Sequence, residues 1–247
     1  MKRRLDQALV DRGLVRSRNQ GREFILNGEV LVEGDPCLRP SHQVLEDSTI
    51  EISDSASRHR VGRGYDKLGA FLDLHPLDFS NRYVVDGGAS TGGFTQQALE
   101  RGAGAVLAVE IGSGQLAPDL ARHPRVESRE NCDLLGIDEL ERDCEILLLD
   151  LSFVSLLTAL PALRLPFAPG ARLLALVKPQ FELPRRELSA AGKPRRPKEA
   201  EKVLNSVLDC AAGLGWTILA QEPVEPGPDQ RNREFMFSAL RGETGAV

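Results

Sequence analysis

The chain has 247 residues, of which 41% are hydrophobic, and its formal net charge is −5. This length accommodates one large domain, or a large and a small domain, with a buried core. We see no apolar run of about 18 residues, and the first residues, MKRRLDQALVDRG, lack the apolar centre of a signal peptide. We therefore expect no membrane span and a cytoplasmic protein.

The four cysteines are far apart and have neither the paired spacing of a zinc site nor the density of a disulfide scaffold. We expect them to be reduced, and we expect no metal. Charge is distributed unevenly, because seven cations face two acids in the first 22 residues and a second basic cluster spans residues 185–198. The two clusters favour a polyanionic partner that is contacted at defined points, although solvated basic faces are the alternative.

The first 52 residues show the pattern of a small module. RRLDQALVDRGL has apolar residues at helical spacing and Gly13 to end the helix. Ser17 is expected to cap a second helix, with Gln20 completing a capping box. EVLVEG and TIEI then alternate apolar and polar residues, as short strands do. The pattern predicts two helices followed by a small sheet.

This stretch resembles the S4 RNA-binding domain in RLDQALVDRGL, SRNQGREFILNGEVLVEG and the final TIEI. The resemblance implies that the basic second helix and its flanks contact phosphates of structured RNA. The residues expected to bind RNA are Arg3, Arg4, Arg16, Ser17, Arg18 and Arg22. A protein-interaction module with a basic face is the competing interpretation. We place this domain at residues 1–53, a linker at 54–64 and the second domain at 65–247.

The second domain begins with YDKLGAFLDL, whose apolar residues share one helical face, with Lys67 beside that face. Strands then alternate with helices through YVVD, AVLAVE, RVES, CEILLLD and ARLLALVKP. A long amphipathic helix, EAEKVLNSVLDCAAGLGW, precedes two last strands, TILAQE and REFMFSAL. This order predicts an α/β fold with a doubly wound, mostly parallel sheet.

A glycine-rich turn, VVDGGASTGGFT, follows the first strand of this domain. Its glycines allow a ligand to approach the backbone, and its hydroxyls and the first N–H groups of the next helix are donors. The residues expected to hold the cofactor are Gly87, Gly88, Ser90, Thr91, Gly92 and Gly93. A dinucleotide fingerprint is imperfect because Ala89 occupies a position that requires glycine. Asp86 would repel phosphate but attract an ammonium group such as that of S-adenosylmethionine.

Glu110 ends the next strand, where a carboxylate can accept hydrogen bonds from two ribose hydroxyls. Dinucleotide and S-adenosylmethionine proteins share this geometry, so Glu110 leaves the choice of cofactor open. Asp150 and Lys178 end two further apolar strands. Because ligands bind at the carboxyl ends of strands in such sheets, we expect these side chains and Asp86 to point toward one crevice.

VVDGGASTGGFT, LLLDLSFVS, LVKPQFE and NREFMF, together with the S4-like start, resemble the TlyA hemolysin-like family of ribosomal RNA methyltransferases. The resemblance covers nearly the whole chain, and the catalytic part is similar to 2′-O-methyltransferases of the FtsJ type. It implies a seven-stranded Rossmann-like methyltransferase sheet with a small N-terminal α+β S4-like domain. It also implies that the cofactor is S-adenosylmethionine. The implied substrate is the ribose of a cytidine in ribosomal RNA or ribosomal subunits.

The resemblance further implies that four residues surround the methylated 2′-hydroxyl: Lys67, Asp150, Lys178 and Glu234. A ribose hydroxyl is a weak nucleophile near neutral pH, whereas the methyl of a sulfonium is already activated. We therefore expect Lys178 to take or orient the proton of the hydroxyl, and Lys67 to stabilise negative charge on the oxygen. Asp150 and Glu234 would orient the lysines, and Asp150 would also face the sulfonium.

Phe94, Asn131 and Asp150 complete the expected cofactor contacts, with Asn131, Cys132 and Asp133 as alternatives for the adenine contact. Three other functions are considered. The first is an RNA-binding assembly factor without turnover, and the second is a nicotinamide oxidoreductase. The third is a pore-forming hemolysin, which the lack of an apolar segment disfavours. We expect a monomer that binds neither membrane nor metal.

Overall fold

The computed structural model has two compact units, Met1–Arg60 and Val61–Val247. It describes residues 2–15, 18–26, 28–52, 61–189, 192–225 and 232–242, without the side chains of residues 19, 20, 23 and 197. Arg16, Ser17, residue 53 and residues 54–60 of the predicted linker therefore lie outside the described residues. The capping box predicted for Ser17 and Gln20 lies outside them too.

The described part of the first unit contains two helices and five short strands. Its elements are β1 (Arg3–Arg4), α1 (Leu5–Asp11), α2 (Arg18–Leu26), β2 (Val30–Val32), β3 (Asp35–Pro36), β4 (Gln43–Val44) and β5 (Ile50–Ile52). β2 pairs with β3 and β5, while β1 pairs with β4. Leu5, Leu9 and Ile25 of the helices pack with Val30 and Val44 of the strands in one buried cluster.

The first predicted helix occupies only part of the stretch RRLDQALVDRGL. Arg3 and Arg4 pair with Val44 and Gln43 as an antiparallel strand, and the helix begins at Leu5. This pairing occupies the backbone groups of the two arginines, so they take the extended conformation. Gly13 follows the helix with φ 67°, the left-handed geometry that glycine adopts without strain.

The second unit is an α/β layer structure. Its helices are α3 (Arg63–Leu74), α4 (Gly93–Glu100), α5 (Pro118–Ala121), α6 (Leu156–Ala162), α7 (Pro179–Glu182) and α8 (Pro197–Gly213). Its strands are β6 (Tyr83–Gly87), β7 (Ala105–Val109), β8 (Val126–Arg129), β9 (Cys144–Leu149), β10 (Phe167–Val177), β11 (Trp216–Val224) and β12 (Glu234–Arg241). α3 begins at Arg63, within the range assigned to the linker.

The seven strands form one sheet in the order β11-β12-β10-β9-β6-β7-β8. The five strands from β10 to β8 run parallel, and β12 is antiparallel to both β10 and β11. This architecture confirms the predicted α/β fold with a mostly parallel sheet. From β6, the chain adds β7 and β8 on one side and then β9 and β10 on the other, so the direction of strand addition reverses between β6 and β9. Doubly wound folds open a ligand crevice at this point.

Both faces of the sheet are covered, as the apolar strands predict. Val85, Leu147 and Leu149 point to a core that contains residues of α6 and α8. Their neighbours Val84 and Leu148 point to a second core with residues of α3 and α4. Because successive residues of a strand face opposite sides, a strand buried on both sides needs apolar residues throughout.

Two helices differ from the sequence prediction. α5 has only four residues, and the helix Leu156–Ala162 was missed. Pro161 lies inside the missed helix, and proline is an unfavourable residue in a helix interior. Within the ranges that the structure describes, every helix is too short or too polar to cross a membrane.

Candidate active site

The charged residues predicted to line one crevice lie at one edge of the sheet. Glu110, Asp150 and Lys178 each follow the last residue of a parallel strand, at the carboxyl ends of β7, β9 and β10. Glu234 begins β12, which runs antiparallel, so it reaches the same edge. Val177 pairs with Phe235 in the antiparallel ladder. Lys178, one residue after Val177, and Glu234, one residue before Phe235, therefore lie side by side at this edge.

Lys178 is held in place by two residues of the segment after β9. Its Nζ lies 2.6 Å from Asp150 Oδ1 as an ion pair and donates a hydrogen bond of 2.9 Å to Ser152 Oγ. The Lys178 side chain is 10% exposed. A buried ammonium with two oxygen partners has little freedom to move, so its N–H groups are aimed before any substrate binds.

Lys67 and Glu234 form a second ion pair at this edge. Lys67 Nζ donates to Glu234 Oε2 at 2.6 Å, and the side chains are only 16% and 9% exposed. Lys67 lies on α3, whose apolar residues Leu68, Phe71 and Leu72 are buried against the sheet. Lys67 lies beside this apolar face of the helix. Packing of the face against the sheet therefore directs the Lys67 side chain toward the carboxylate of Glu234.

The two pairs share a site, because the start of α3 also approaches Asp150. A Cβ added at Gly64 would lie 3.6 Å from Asp150 Oδ2. α3 thus supplies Lys67 and the backbone beside Asp150. The structure brings together all four residues that the resemblance assigned to catalysis, in two lysine and carboxylate pairs.

The glycine-rich turn passes directly beside this tetrad. Gly88 has φ 79°, and a Cβ at this position would lie 2.9 Å from the carbonyl oxygen of Asp150. Gly93 begins α4, and a Cβ there would lie 2.6 Å from the backbone nitrogen of Tyr65. The turn therefore needs glycine to pack against β9 and α3. Ser90 and Thr91, at its tip, are exposed.

Asp86 is completely buried under the turn. Its Oδ2 accepts a hydrogen bond of 2.6 Å from Thr95 Oγ1, while Oδ1 has no hydrogen-bond partner among the described residues. Burial raises the pKa of Asp86 to about 7, although the Thr95 hydrogen bond opposes this effect. An unpaired buried carboxylate oxygen fits a cationic or hydrogen-bonding ligand group. Thr95, which orients this carboxylate, was missed in the sequence.

The raised pKa of Asp86 predicts a pH-dependent gain in stability for Asp86→Asn. Because the folded state favours the protonated acid, wild-type stability falls as pH rises from about 4 to about 7, and the loss is complete above that range. We expect the unfolding free energy of the variant, relative to wild type, to increase by about 1 kcal/mol between pH 6 and pH 8 in urea titrations.

The control for this prediction is Asp119→Asn, which replaces an exposed aspartate of the same unit. Its stability difference from wild type is expected to stay constant over the same pH range. A constant difference for Asp86→Asn as well would contradict the raised pKa.

Glu110 is surrounded by hydrogen-bond donors of two loops. Oε2 accepts from Ser90 N at 2.9 Å and Oε1 from Gly112 N at 2.8 Å. Each carboxylate oxygen has two lone-pair directions, so Oε2 can still accept a hydrogen bond from a ribose hydroxyl. Gln115 Nε2 also approaches Oε1, at 3.4 Å. Glu110 is thus oriented by the turn that was predicted to hold the cofactor.

Glu130 fixes the loop that follows Glu110. Its carboxylate accepts hydrogen bonds from three backbone N–H groups, those of Gly114, Gln115 and Leu116, at 2.6 to 3.0 Å. These bonds lower the pKa of Glu130. Sequence reasoning missed this residue, since nothing in its local pattern distinguishes it from a solvated glutamate.

The residues proposed for adenine lie beside the same loop. Asn131 has φ 52° and donates its backbone N–H to the carbonyl of Gly112, and Cys132 N donates to the carbonyl of Glu110. Asp133 caps a short 3-10 turn by accepting from Leu135 N at 3.0 Å. Phe94 is buried in the core, and its contact with the cofactor stays a prediction.

An exposed aromatic side chain stands next to the tetrad and was missed in the sequence. Phe153 is 88% exposed and has φ 68°, a conformation that is strained for a bulky residue. It follows Ser152, the partner of Lys178, and its ring lies 5.2 Å from that of Phe181. The sequence gives no sign of this exposure, because a phenylalanine in an apolar run such as LSFVS is usually buried in the core.

The helix α7 holds the Phe153 segment from the other side. Glu182 accepts hydrogen bonds from Ser155 Oγ at 2.5 Å and from Leu156 N at 2.7 Å, at the start of α6. Lys178, which precedes the first residue of this short helix, contacts Ser152, and Phe181 within the helix contacts Phe153. The segment that carries Phe153 is therefore fixed at both ends.

In the first unit, a buried carboxylate organises two of the arginines predicted to bind RNA. Asp6 accepts a bidentate pair of bonds from Arg4 at 3.0 and 2.9 Å and a third from Arg18 at 3.0 Å. These bonds, led by the one from Arg4, lower the pKa of Asp6. Arg3 pairs with Asp11, and Arg22 is exposed. Arg16 and Ser17 lie outside the described residues.

The glycine-rich turn, the acidic acceptor on the next strand and the sheet order define a Rossmann-like protein of the methyltransferase class. Residues 60–238 match the FtsJ-like methyltransferase family and residues 3–50 match the S4 domain. The chain belongs to the FtsJ-like methyltransferase family and carries an S4 domain before the catalytic unit. The family predicted from the sequence is confirmed.

Two of the similar proteins match nearly the whole length of this chain. The 16S/23S rRNA (cytidine-2′-O)-methyltransferase TlyA of Mycobacterium tuberculosis is 35% identical over 98% of this chain and 90% of its own. The structure of a candidate hemolysin from Streptococcus thermophilus has 30% identity and a TM-score of 0.74, over 98% of this chain and 89% of that one. An S-adenosylmethionine-dependent methyltransferase from Mesorhizobium loti, 17% identical over 70% of this chain and 96% of its own with a TM-score of 0.52, shares the fold.

Proposed function

We propose that the protein transfers a methyl group from S-adenosylmethionine to the 2′-hydroxyl of a cytidine ribose in ribosomal RNA. The observation that carries this proposal is the pairing of Lys178 with Asp150 and of Lys67 with Glu234 beside the glycine-rich turn. The printed activity of the Mycobacterium tuberculosis relative, which matches nearly the whole chain, supports the same substrate class.

The residues of the cleft fit the parts of this cofactor. Glu110, oriented by Ser90 N and Gly112 N, would accept the ribose hydroxyls. The free Oδ1 of Asp86 would face the amino acid end, either directly or through water. Ile111 follows Glu110 and is 73% exposed, so it offers an apolar surface to the adenine ring. The carboxylate of Asp86 under the turn would repel the phosphates of a dinucleotide, which disfavours that class of cofactor.

The chain's own residues would prepare the hydroxyl. When bound, the cofactor supplies a methyl group activated by its sulfonium. Lys178, held by Asp150 and Ser152, would orient the hydroxyl and, as the unprotonated amine, would receive the hydroxyl's proton as the methyl group is transferred to the oxygen. Lys67, held by Glu234, would stabilise the negative charge that develops on the oxygen. The carboxylate partners hold both lysine side chains in place before RNA binds.

Phe153 would position the nucleotide that carries this ribose. Proteins that recognise RNA by sequence mostly target unpaired nucleotides, whose unstacked bases can stack on aromatic side chains. The exposed ring of Phe153, one residue from Ser152, offers a stacking surface for the base. Its rigid attachment through Phe181 and Glu182 means that the surface exists before RNA binds.

The arginines of the first unit would contact phosphates of the same RNA. Arg4 and Arg18 share the buried Asp6, which fixes the direction of both guanidinium groups. Fixed guanidinium groups lose less entropy when they bind phosphate than free side chains do. Arg22, which is exposed on α2, is a third cation of this unit that could contact phosphate.

The proposal predicts that purified protein with labelled S-adenosylmethionine methylates ribosomal RNA or ribosomal subunits, and that the label maps to a cytidine ribose. Calorimetry is expected to show binding of S-adenosylmethionine and no comparable binding of NAD. Methylation absent from every ribosomal substrate, with RNA binding retained, would favour an assembly factor. Tighter binding of NAD would favour an oxidoreductase.

A further inference from the structure

A strongly basic hairpin follows α7 in the catalytic unit. We call residues 184–189 and 192–198 the basic hairpin. Its exposed cations are Arg185, Arg186, Lys193, Arg195, Arg196 and Lys198. Glu187 is the one carboxylate in this stretch, in a chain whose net charge is −5. Such a local excess of positive charge on an acidic protein favours a defined anionic partner.

The basic hairpin is held by its own hydrogen bonds. Ser189 N donates to the carbonyl of Lys193 at 2.7 Å, and Arg195 N donates to the carbonyl of Glu187 at 2.9 Å. Leu188 and Pro194 form an isolated β-bridge between the two arms. The positions of the cations are therefore set by a folded backbone, and binding an anion costs little additional ordering of the chain.

The basic hairpin is also attached to the active site. Asn232 Nδ2 donates to the carbonyl of Gly192 at 3.2 Å, and Asn232 lies two residues before Glu234. At the other arm, Arg185 follows Glu182 by three residues, which limits the distance between their Cα atoms to about 11 Å. One arm thus begins beside α7 and the other is bonded to the segment that leads into the tetrad.

We propose that the basic hairpin grips the phosphate backbone of the substrate RNA beside the ribose that is methylated. This inference rests on the proposed function, because a ribose placed at Lys178 brings its neighbouring phosphates to the surroundings of the tetrad. Arginine matches phosphate oxygens with paired N–H donors. The basic hairpin then provides a second RNA contact, separate from the arginines of the S4 domain, that places the target nucleotide.

The test compares two double variants of the full chain that remove the same charge. Arg185→Gln/Arg186→Gln changes the basic hairpin without touching the backbone bonds that hold it. Arg122→Gln/Arg142→Gln changes exposed arginines that precede β8 and β9, at the opposite edge of the sheet. RNA affinity is measured at several salt concentrations, and methylation kinetics are measured with ribosomal subunits.

We expect the basic hairpin variant to raise KM for the RNA substrate about tenfold, with kcat within twofold of wild type. Its plot of log affinity against log salt should be shallower by roughly 1 to 2, as expected for two lost phosphate contacts. The control variant should match wild type in both measurements.

An unchanged salt slope for the basic hairpin variant would overturn this proposal, and equal effects of the two variants would do the same by showing a general charge effect. RNA binding is measured without turnover, so the result is interpretable even if wild-type protein methylates nothing. Loss of kcat with unchanged RNA affinity would show that the basic hairpin supports the tetrad instead, and would also overturn the proposal.

Discussion

Replacing Lys178 by alanine is expected to lower methyl transfer to ribosomal RNA by about a thousandfold or more. The substitution removes the amino group that Asp150 and Ser152 hold at the carboxyl edge, and with it the group that takes the proton of the hydroxyl. RNA affinity should stay within about threefold, because the residues predicted to contact phosphates lie elsewhere. The measurement is the initial rate of label incorporation together with RNA binding at fixed salt.

Two further variants make the result specific. Lys178→Arg keeps the positive charge but cannot receive a proton, so it should be nearly as inactive as the alanine variant. Lys202→Ala removes an exposed lysine from α8 and should behave as wild type. Undiminished methylation by Lys178→Ala would remove Lys178 from the mechanism. Substantial activity in Lys178→Arg would limit its role to electrostatics.

Replacing Lys67 by methionine is expected to reduce both stability and activity. Removal of Lys67 leaves Glu234 without its partner, and Glu234 is 9% exposed, so the unfolding free energy should fall by about 2 to 3 kcal/mol. Methylation should fall by roughly a hundredfold, since the cation that stabilises the developing oxyanion is absent.

The double variant Lys67→Met/Glu234→Leu separates these two effects. An apolar pair in place of a buried ion pair is often neutral for stability, so the double variant should return to within about 1 kcal/mol of wild type. Activity should remain as low as in the single variant. Urea unfolding and methylation rates are the measurements. Recovery of activity together with stability would show that the pair serves the fold alone.

Much of the fold could be predicted because its signals are local. The apolar runs that end in Asp86 and Asp150 have the composition of strands buried on both faces, and they form adjacent strands of the sheet. The short helix after Ser155 was missed because Pro161 interrupts its pattern. The strand β1 was not predicted because the pairing of Arg3 and Arg4 with β4 is a contact between distant residues.

The site was predictable to the extent that strand ends converge. That rule grouped Asp86, Glu110, Asp150 and Lys178 from the sequence, and the resemblance added Lys67 and Glu234. It did not indicate the roles of Glu130 and Glu182, which accept backbone N–H groups of loops far away in the chain. Such residues look like solvated glutamates until the loops that they bind are folded.

The sequence by itself determined the α/β class, the glycine-rich turn and the residues that end each strand, because these depend on periodicity and on backbone requirements of single positions. Tertiary structure decided which lysine pairs with which carboxylate, that Phe153 is exposed, and that the basic hairpin is bonded to the segment leading into Glu234. These features arise where separate elements meet. Packing of α3 against the sheet, and not any local pattern, brings Lys67 within 2.6 Å of Glu234.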